Sequence, residues 1–163
     1  VGVSGIVDFS DAAHIREHSI EVQIPFLQYI YGGGFKILPV AMLIQDRGTS
    51  LDVGEALAKI AEGRDALLIA SSDFTHYESH EQASRKDHEL INAILEMNVD
   101  KVYDVLDRLN VSACGYGPIS AVITACSRLG ANKAELLKYA TSGDTSGDYS
   151  AVVGYASIVF KQA

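Results

Sequence analysis

The chain is 163 residues long, 48 % apolar and 21 % charged, a globular composition for one domain or a piece of a larger one. Thirteen Lys and Arg against 21 Asp and Glu leave a net charge of −8, which repels phosphate backbones and sets nucleic acid aside as the main partner. Two cysteines cannot form a disulfide framework and suit a reducing cytoplasm, while the longest apolar run, Ile37 to Ile44, is too short for a bilayer and contains Pro39.

The chain opens Val1-Gly2-Val3-Ser4, with neither an initiator methionine nor a signal-peptide pattern, as a processed chain or the C-terminal part of a longer one would. Composition is even from end to end, so residues 1–163 read as one domain unit. Phe35 to Met42 is an apolar run that predicts a buried strand. Leu51 to Glu62 predicts a helix, with a Thr49-x-x-Asp52 capping pattern before it and Gly63 in the C′ position. Ala66 to Ala70 predicts a second buried strand.

Ser79 with Gln82 three residues on is a capping box. The long helix that follows puts Ala83, Leu90, Ile91, Ile94 and Leu95 on one face. Asn98 caps a further helix, with Val99, Val102, Tyr103, Leu106 and Leu109 at helical spacing. Pro118 sits at the first position of the next helix, whose stripe is Ile119, Val122, Ile123, Cys126 and Leu129, and which stops at Gly130. Strands Glu135 to Thr141 and Ala151 to Phe160 close the chain around a polar, glycine-rich turn.

Buried strands alternating with helices predict an α/β fold, a three-layer sandwich with helices flanking a central sheet. The last two strands are joined directly, so that pair could be an antiparallel hairpin and the sheet mixed, although the turn is long for a hairpin. In such folds the ligand crevice lies beyond the carboxyl ends of the strands, which points at residues 71–77 and 114–118.

Asp73 and His76 are three apart, so a turn brings carboxylate and imidazole together. An Asp that accepts one ring N–H fixes the tautomer, and His76 becomes a candidate general base or metal ligand. The plainer reading has Asp73 capping a turn and His76 on the rim. His76 and His80 are four apart, but Ser79 as N-cap leaves His76 ahead of the helix; His80 and His88 read as solvated helix residues. Glu17, His18 and Glu21 form a polar cluster ahead of Pro25, where His18 could line a site and His14 is surface. Cys114 falls at a helix N-terminus, whose positive end favours thiolate, so it is a candidate soft metal ligand or nucleophile. The plainer reading is a small buried apolar residue, which Cys126 fits well. Residues 142–148 read as a polar turn whose Asp side chains bond local backbone. No GxGxxG, Walker lysine or GxSxG motif occurs.

Four stretches taken together, Glu17-His18-Ser19-Ile20-Glu21-Val22-Gln23-Ile24-Pro25-Phe26, Ser71-Ser72-Asp73-Phe74-Thr75-His76-Tyr77, Cys114-Gly115-Tyr116-Gly117-Pro118-Ile119 and Tyr139-Ala140-Thr141-Ser142-Gly143-Asp144-Thr145-Ser146-Gly147-Asp148, closely resemble the Memo family, whose bacterial and archaeal members are also called AmmeMemoRadiSam system protein B. The resemblance implies a fold like that of the class III, non-haem-iron extradiol dioxygenases. It implies a pocket with a metal, Fe(II) or else copper, held by two histidines and a cysteine. Cys114 matches the cysteine, Asp73 and His76 match a second aspartate and histidine of that pocket with His76 as acid/base, and His18 matches a substrate contact. The two ligand histidines belong to family motifs that precede Val1, so the chain resembles the C-terminal part of such a domain. A fold cut this way exposes sheet edge and core, so it needs the missing part or pairs with another chain, a homo-oligomer included.

Two functions follow from the resemblance. One is a dioxygenase-like metalloprotein, an oxidoreductase if active, doing redox or oxygen chemistry on a small molecule. The other is a non-catalytic signalling module that binds a peptide or small ligand in the same pocket. A phosphate pocket wants Arg or Lys, and the motifs offer little beyond Arg16 beside the first of them, which favours the metal reading. The family name further implies a radical-SAM partner and an AMMECR-type partner.

Overall fold

Side-chain caps decide where three of the helices begin. The computed structural model describes residues 5–163. After two short helices, α1 (Asp11–His14) and α2 (Ile24–Tyr31), the chain enters α3 (Arg47–Ala61). Asp46 caps α3 by accepting from the Thr49 N–H at 3.1 Å and the Thr49 hydroxyl at 2.6 Å. The helix therefore starts four residues before the expected Leu51: Thr49 donates to the cap instead of being it. Gly63 follows the last turn at φ +69°, the left-handed conformation that glycine adopts freely.

A three-residue strand, β1 (His76–Glu78), leads into α4 (His80–Leu95), and Ser79 accepts from the Gln82 N–H at 3.4 Å. Asn98 caps α5 (Val99–Leu109) through the Lys101 N–H at 3.1 Å. Helix α6 (Tyr116–Arg128) begins behind Gly115, two residues earlier than predicted. Pro118 is then its third residue, still within the first turn, where an absent N–H leaves no helical bond unmade.

Two long strands, β2 (Lys133–Thr141) and β3 (Val152–Lys161), pair antiparallel from Lys133↔Lys161 to Thr141↔Gly154, with a bulge between Leu136 and Lys138. The connection between them holds one helical turn, α7 (Gly143–Ser146). Strand β1 adds to the other edge of β3, giving the order β1-β3-β2. Every ladder among the described residues is antiparallel, so the sheet is not the mixed one expected.

The molecule is an α/β sandwich. Leu90, Ile91 and Ile94 of α4 and Val102, Val105 and Leu106 of α5 form its core with Phe74, Ile119 and Ile123, closed by Leu136, Ala156, Ile158 and Phe160 of the sheet. Burying one such aliphatic side chain contributes about 1.5–3 kcal/mol. Helices α3 and α6 touch so closely at Gly54 that an added Cβ would lie 2.6 Å from Thr124 Cβ.

Residues 35–42 and 66–70, expected as buried strands, join no ladder among the described residues. Leu38 is 65 % exposed and Leu67 67 % exposed. An apolar run becomes a buried strand only when a neighbouring strand takes its N–H and C=O groups, and no described strand does so. No helix among the described residues is long and apolar enough to cross a membrane.

Candidate functional site

Residues 71–76 leave the exposed segment 66–70 and run along the start of β3. The Phe74 N–H donates to Gly154 C=O at 2.9 Å, and the Gly154 N–H returns a bond to Thr75 C=O at 2.9 Å. Phe74 and Thr75 are both buried, while Asp73 and His76 on either side of that pair keep partly exposed side chains. The second motif thereby becomes a fixed ridge.

The third motif docks directly onto that ridge. The Asp73 N–H donates to Cys114 Sγ at 3.2 Å, and the Cys114 N–H donates to Asp73 C=O at 3.2 Å. Ser72 Oγ donates to Asp73 C=O at 2.7 Å and accepts from the Gly115 N–H at 2.8 Å. A Cβ on Gly115 would lie 2.6 Å from Ser71 O and 2.7 Å from Ser72 Cβ, so this approach admits only glycine. Gln45 clamps the same turn from outside, donating Nε2 to Cys114 C=O at 3.0 Å and accepting from the Gly117 N–H at 2.8 Å. Tyr103 holds Gln45 in turn, its hydroxyl donating to Gln45 C=O at 2.7 Å. Cys114 is exposed, at the N-terminal end of α6 and with an amide hydrogen aimed at its sulfur.

His76 is held by Ser112. The His76 N–H donates to Ser112 Oγ at 2.8 Å, and Nδ1 lies 2.9 Å from Ser112 C=O. A carbonyl can only accept, so Nδ1 carries the hydrogen and Nε2 presents the lone pair. Nε2 faces Asp73 Oδ2 at 3.6 Å. That is too long for a hydrogen bond and right for an ion pair once the ring is protonated. The tautomer is thus set by Ser112, not by Asp73 as the spacing suggested. Tyr155 stands by: burial and then the Asp73 carboxylate raise its phenol above the ordinary value.

The first motif reaches this site through Gln23, whose Nε2 donates to Ser71 Oγ at 3.1 Å. Glu17 accepts from the Ile20 N–H at 3.0 Å and from the Ser19 hydroxyl, and these bonds hold its carboxyl below the usual range against a desolvation that raises it. His18 is exposed, and among the described residues no hydrogen bond or ion pair joins its ring to Asp73, His76 or Cys114. Pro25 is accommodated because α2 starts beside it. In the fourth motif Asp144 accepts from the Thr141 N–H at 2.8 Å and Asp148 from the Ser150 N–H at 2.9 Å, the local turn bonding expected there. His80 is less solvated than predicted, since its Nδ1 meets Thr141 Oγ1 at 2.9 Å. His88 is exposed, bonded to Ser84 C=O at 2.7 Å. Cys126 is half-buried, and burial raises its thiol.

The family model for Memo-like protein matches residues 2–159. The chain belongs to the Memo family. It is 52 % identical over 160 residues to the MEMO1 family protein MK0963 of Methanopyrus kandleri, covering 97 % of this chain and 56 % of that protein. It is 54 % identical over 159 residues to a MEMO1 family protein of Methanosarcina acetivorans (96 % and 60 %). Against the MEMO1 family protein MJ0403 of Methanocaldococcus jannaschii it is 53 % identical over 159 residues (94 % and 55 %). The chain therefore spans a little over half the length of the curated relatives it matches.

Four residues of this Memo-family site were not singled out from the sequence: Gln23, Gln45, Ser72 and Ser112. Gln45, Ser72 and Ser112 act on backbone or on another side chain from loops and Gln23 does so from a single 3₁₀ turn, Glu21–Gln23, and a lone Ser or Gln in such a segment carries no periodic signal. Glycines do carry one, and the Gly115-x-Gly117 spacing marks the turn on which Ser72 and Gln45 close. Among the described residues no three His, Cys, Asp or Glu side chains come together as a metal shell.

Proposed function

We propose that the chain supplies the proton-handling and thiolate side of a metal-dependent, dioxygenase-like site that performs redox or oxygen chemistry on a small organic substrate. The observation that carries this reading is the reciprocal Asp73–Cys114 bonding, which sets a sulfur donor beside an oriented acid/base pair. His76 accepts a proton at Nε2, because Ser112 already occupies Nδ1. The imidazolium then faces the Asp73 carboxylate, which stabilises it without taking the proton. Cys114 is the donor this chain offers to Fe(II) or copper, soft enough to suit a redox-active ion. The remaining donors lie outside this sequence, in keeping with relatives of which it spans little more than half. His18, on the segment tied in by Gln23, contacts the substrate.

The test is metal content after anaerobic Fe(II) reconstitution, on this chain and on a version extended to the relatives' length. Near-stoichiometric iron in the longer protein, lost in Cys114→Ala, is the expected outcome. Full iron occupancy in Cys114→Ala would remove the sulfur from the site. Oxygen uptake with catechols, abolished by His76→Ala while iron stays bound, checks the acid/base role separately.

A further inference from the structure

Each backbone N–H from Asp73 to His76 has a partner on a different part of the chain. Asp73 donates to Cys114 Sγ, Phe74 to Gly154 C=O and His76 to Ser112 Oγ. Thr75 donates to Asp87 Oδ1 at 2.9 Å. Asp87 is the unusual partner. It sits on the core side of α4 and is 0 % exposed. Its second oxygen accepts from the Tyr139 hydroxyl at 2.8 Å. Gly154 leaves it room, since a Cβ there would lie 1.9 Å from Oδ2.

A carboxylate at that depth is costly unless donors reach both oxygens, and an apolar side chain would pack α4 on the sheet at least as well. What an apolar side chain cannot do is hold the Thr75 N–H. The Thr75 side chain plays no such part: its hydroxyl is buried with no hydrogen-bond partner among the described residues.

We propose that Asp87 is a positioning residue. From the buried face of α4 it fixes the Thr75 amide, and with it the spacing of Asp73 and His76, while Tyr139 orients the carboxylate. Its functional meaning rests on the proton-handling role proposed for that pair. The geometry itself is testable without metal or substrate.

The experiment is NMR of the 163-residue chain at about pH 8.5, where an ordinary histidine is neutral. It reads the His76 imidazole nitrogens and the Thr75 amide in wild type, Asp87→Asn, Asp87→Leu and Thr75→Val. Asp87→Asn still accepts from Thr75. It keeps His76 in the single Nδ1–H tautomer, while the Thr75 amide proton moves upfield as a charged acceptor becomes neutral. Asp87→Leu, similar in size, mixes the His76 tautomers and speeds Thr75 amide exchange by about tenfold or more. Thr75→Val leaves the His76 signals unchanged. An Asp87→Leu protein with wild-type His76 signals and Thr75 exchange overturns the proposal. Should Asp87→Leu fail to fold, Asp87→Asn decides: an unmoved Thr75 amide, or mixed His76 tautomers, overturns it equally. Iron content and oxygen uptake are separate readouts, so the functional reading can fail while this geometry stands.

Discussion

At Ser112 a backbone carbonyl performs a task that Asp73 was expected to perform. It takes the His76 Nδ1 hydrogen and leaves Asp73 free to meet the protonated ring. Residue spacing in sequence located both partners of the pair but could not locate a third group 36 positions away, because backbone carbonyls are the same at every residue. Ser112→Ala removes only the Oγ acceptor for the His76 N–H; the carbonyl and the tautomer survive, and imidazole NMR should show an unchanged Nδ1–H ring. Gly115→Ala meets Ser71 O at 2.6 Å, so the turn must open. Its expected signature is faster exchange at the Cys114 amide, read by hydrogen exchange. Tyr139 gives a pH test with a definite sign. Burial first, and then Asp87, raise its phenol well above the ordinary value of 10. The unfolded chain ionises this tyrosine from about pH 10 upward while the folded one does not, so stability falls above that pH. Tyr139→Phe should flatten that alkaline limb in denaturant titrations.

Helices were legible because their signals are local. Ser79, Asn98, Gly63 and Gly130 occupy the cap positions that their sequence contexts predict, and Ala83, Leu90, Ile91 and Ile94 share the buried face of α4. Errors arose where two local signals competed, as at Asp46 and Thr49. The hairpin β2–β3 was legible for the same reason, its halves being adjacent in sequence. Residues 35–42 and 66–70 were misread because a strand is a relation between segments, and period and composition describe only one of them. At this scale Leu90→Ala should cost about 2–5 kcal/mol by urea unfolding, since Leu90 is wholly buried between α4 and its neighbours. Asn98→Ala should cost about 1 kcal/mol through the lost cap on Lys101.

Among the described residues, many of the exposed large apolar side chains fall within residues 22–44 and 67–69. Phe26, Tyr29 and Ile30 lie along α2, Leu38, Leu43 and Ile44 in the following segment, and Leu67 and Ile69 beside a groove of about 520 Å³ that also takes in Val122, Cys126 and Phe160. Patches of this kind associate in water. Sedimentation velocity on the 163-residue chain should show concentration-dependent association, and Phe26→Ser with Tyr29→Ser should reduce it. A monomer at every concentration would overturn this expectation.

Most of the bonds that build the site span long stretches of chain: 41 residues from Asp73 to Cys114, 69 from Gln45 to Cys114, 72 from Gln45 to Gly117. Closing such loops costs entropy that nearby helical contacts do not. Time therefore has an order in this molecule. In refolding, α4 and α5 should gain amide protection early, and the Cys114 turn should be among the last parts to gain it.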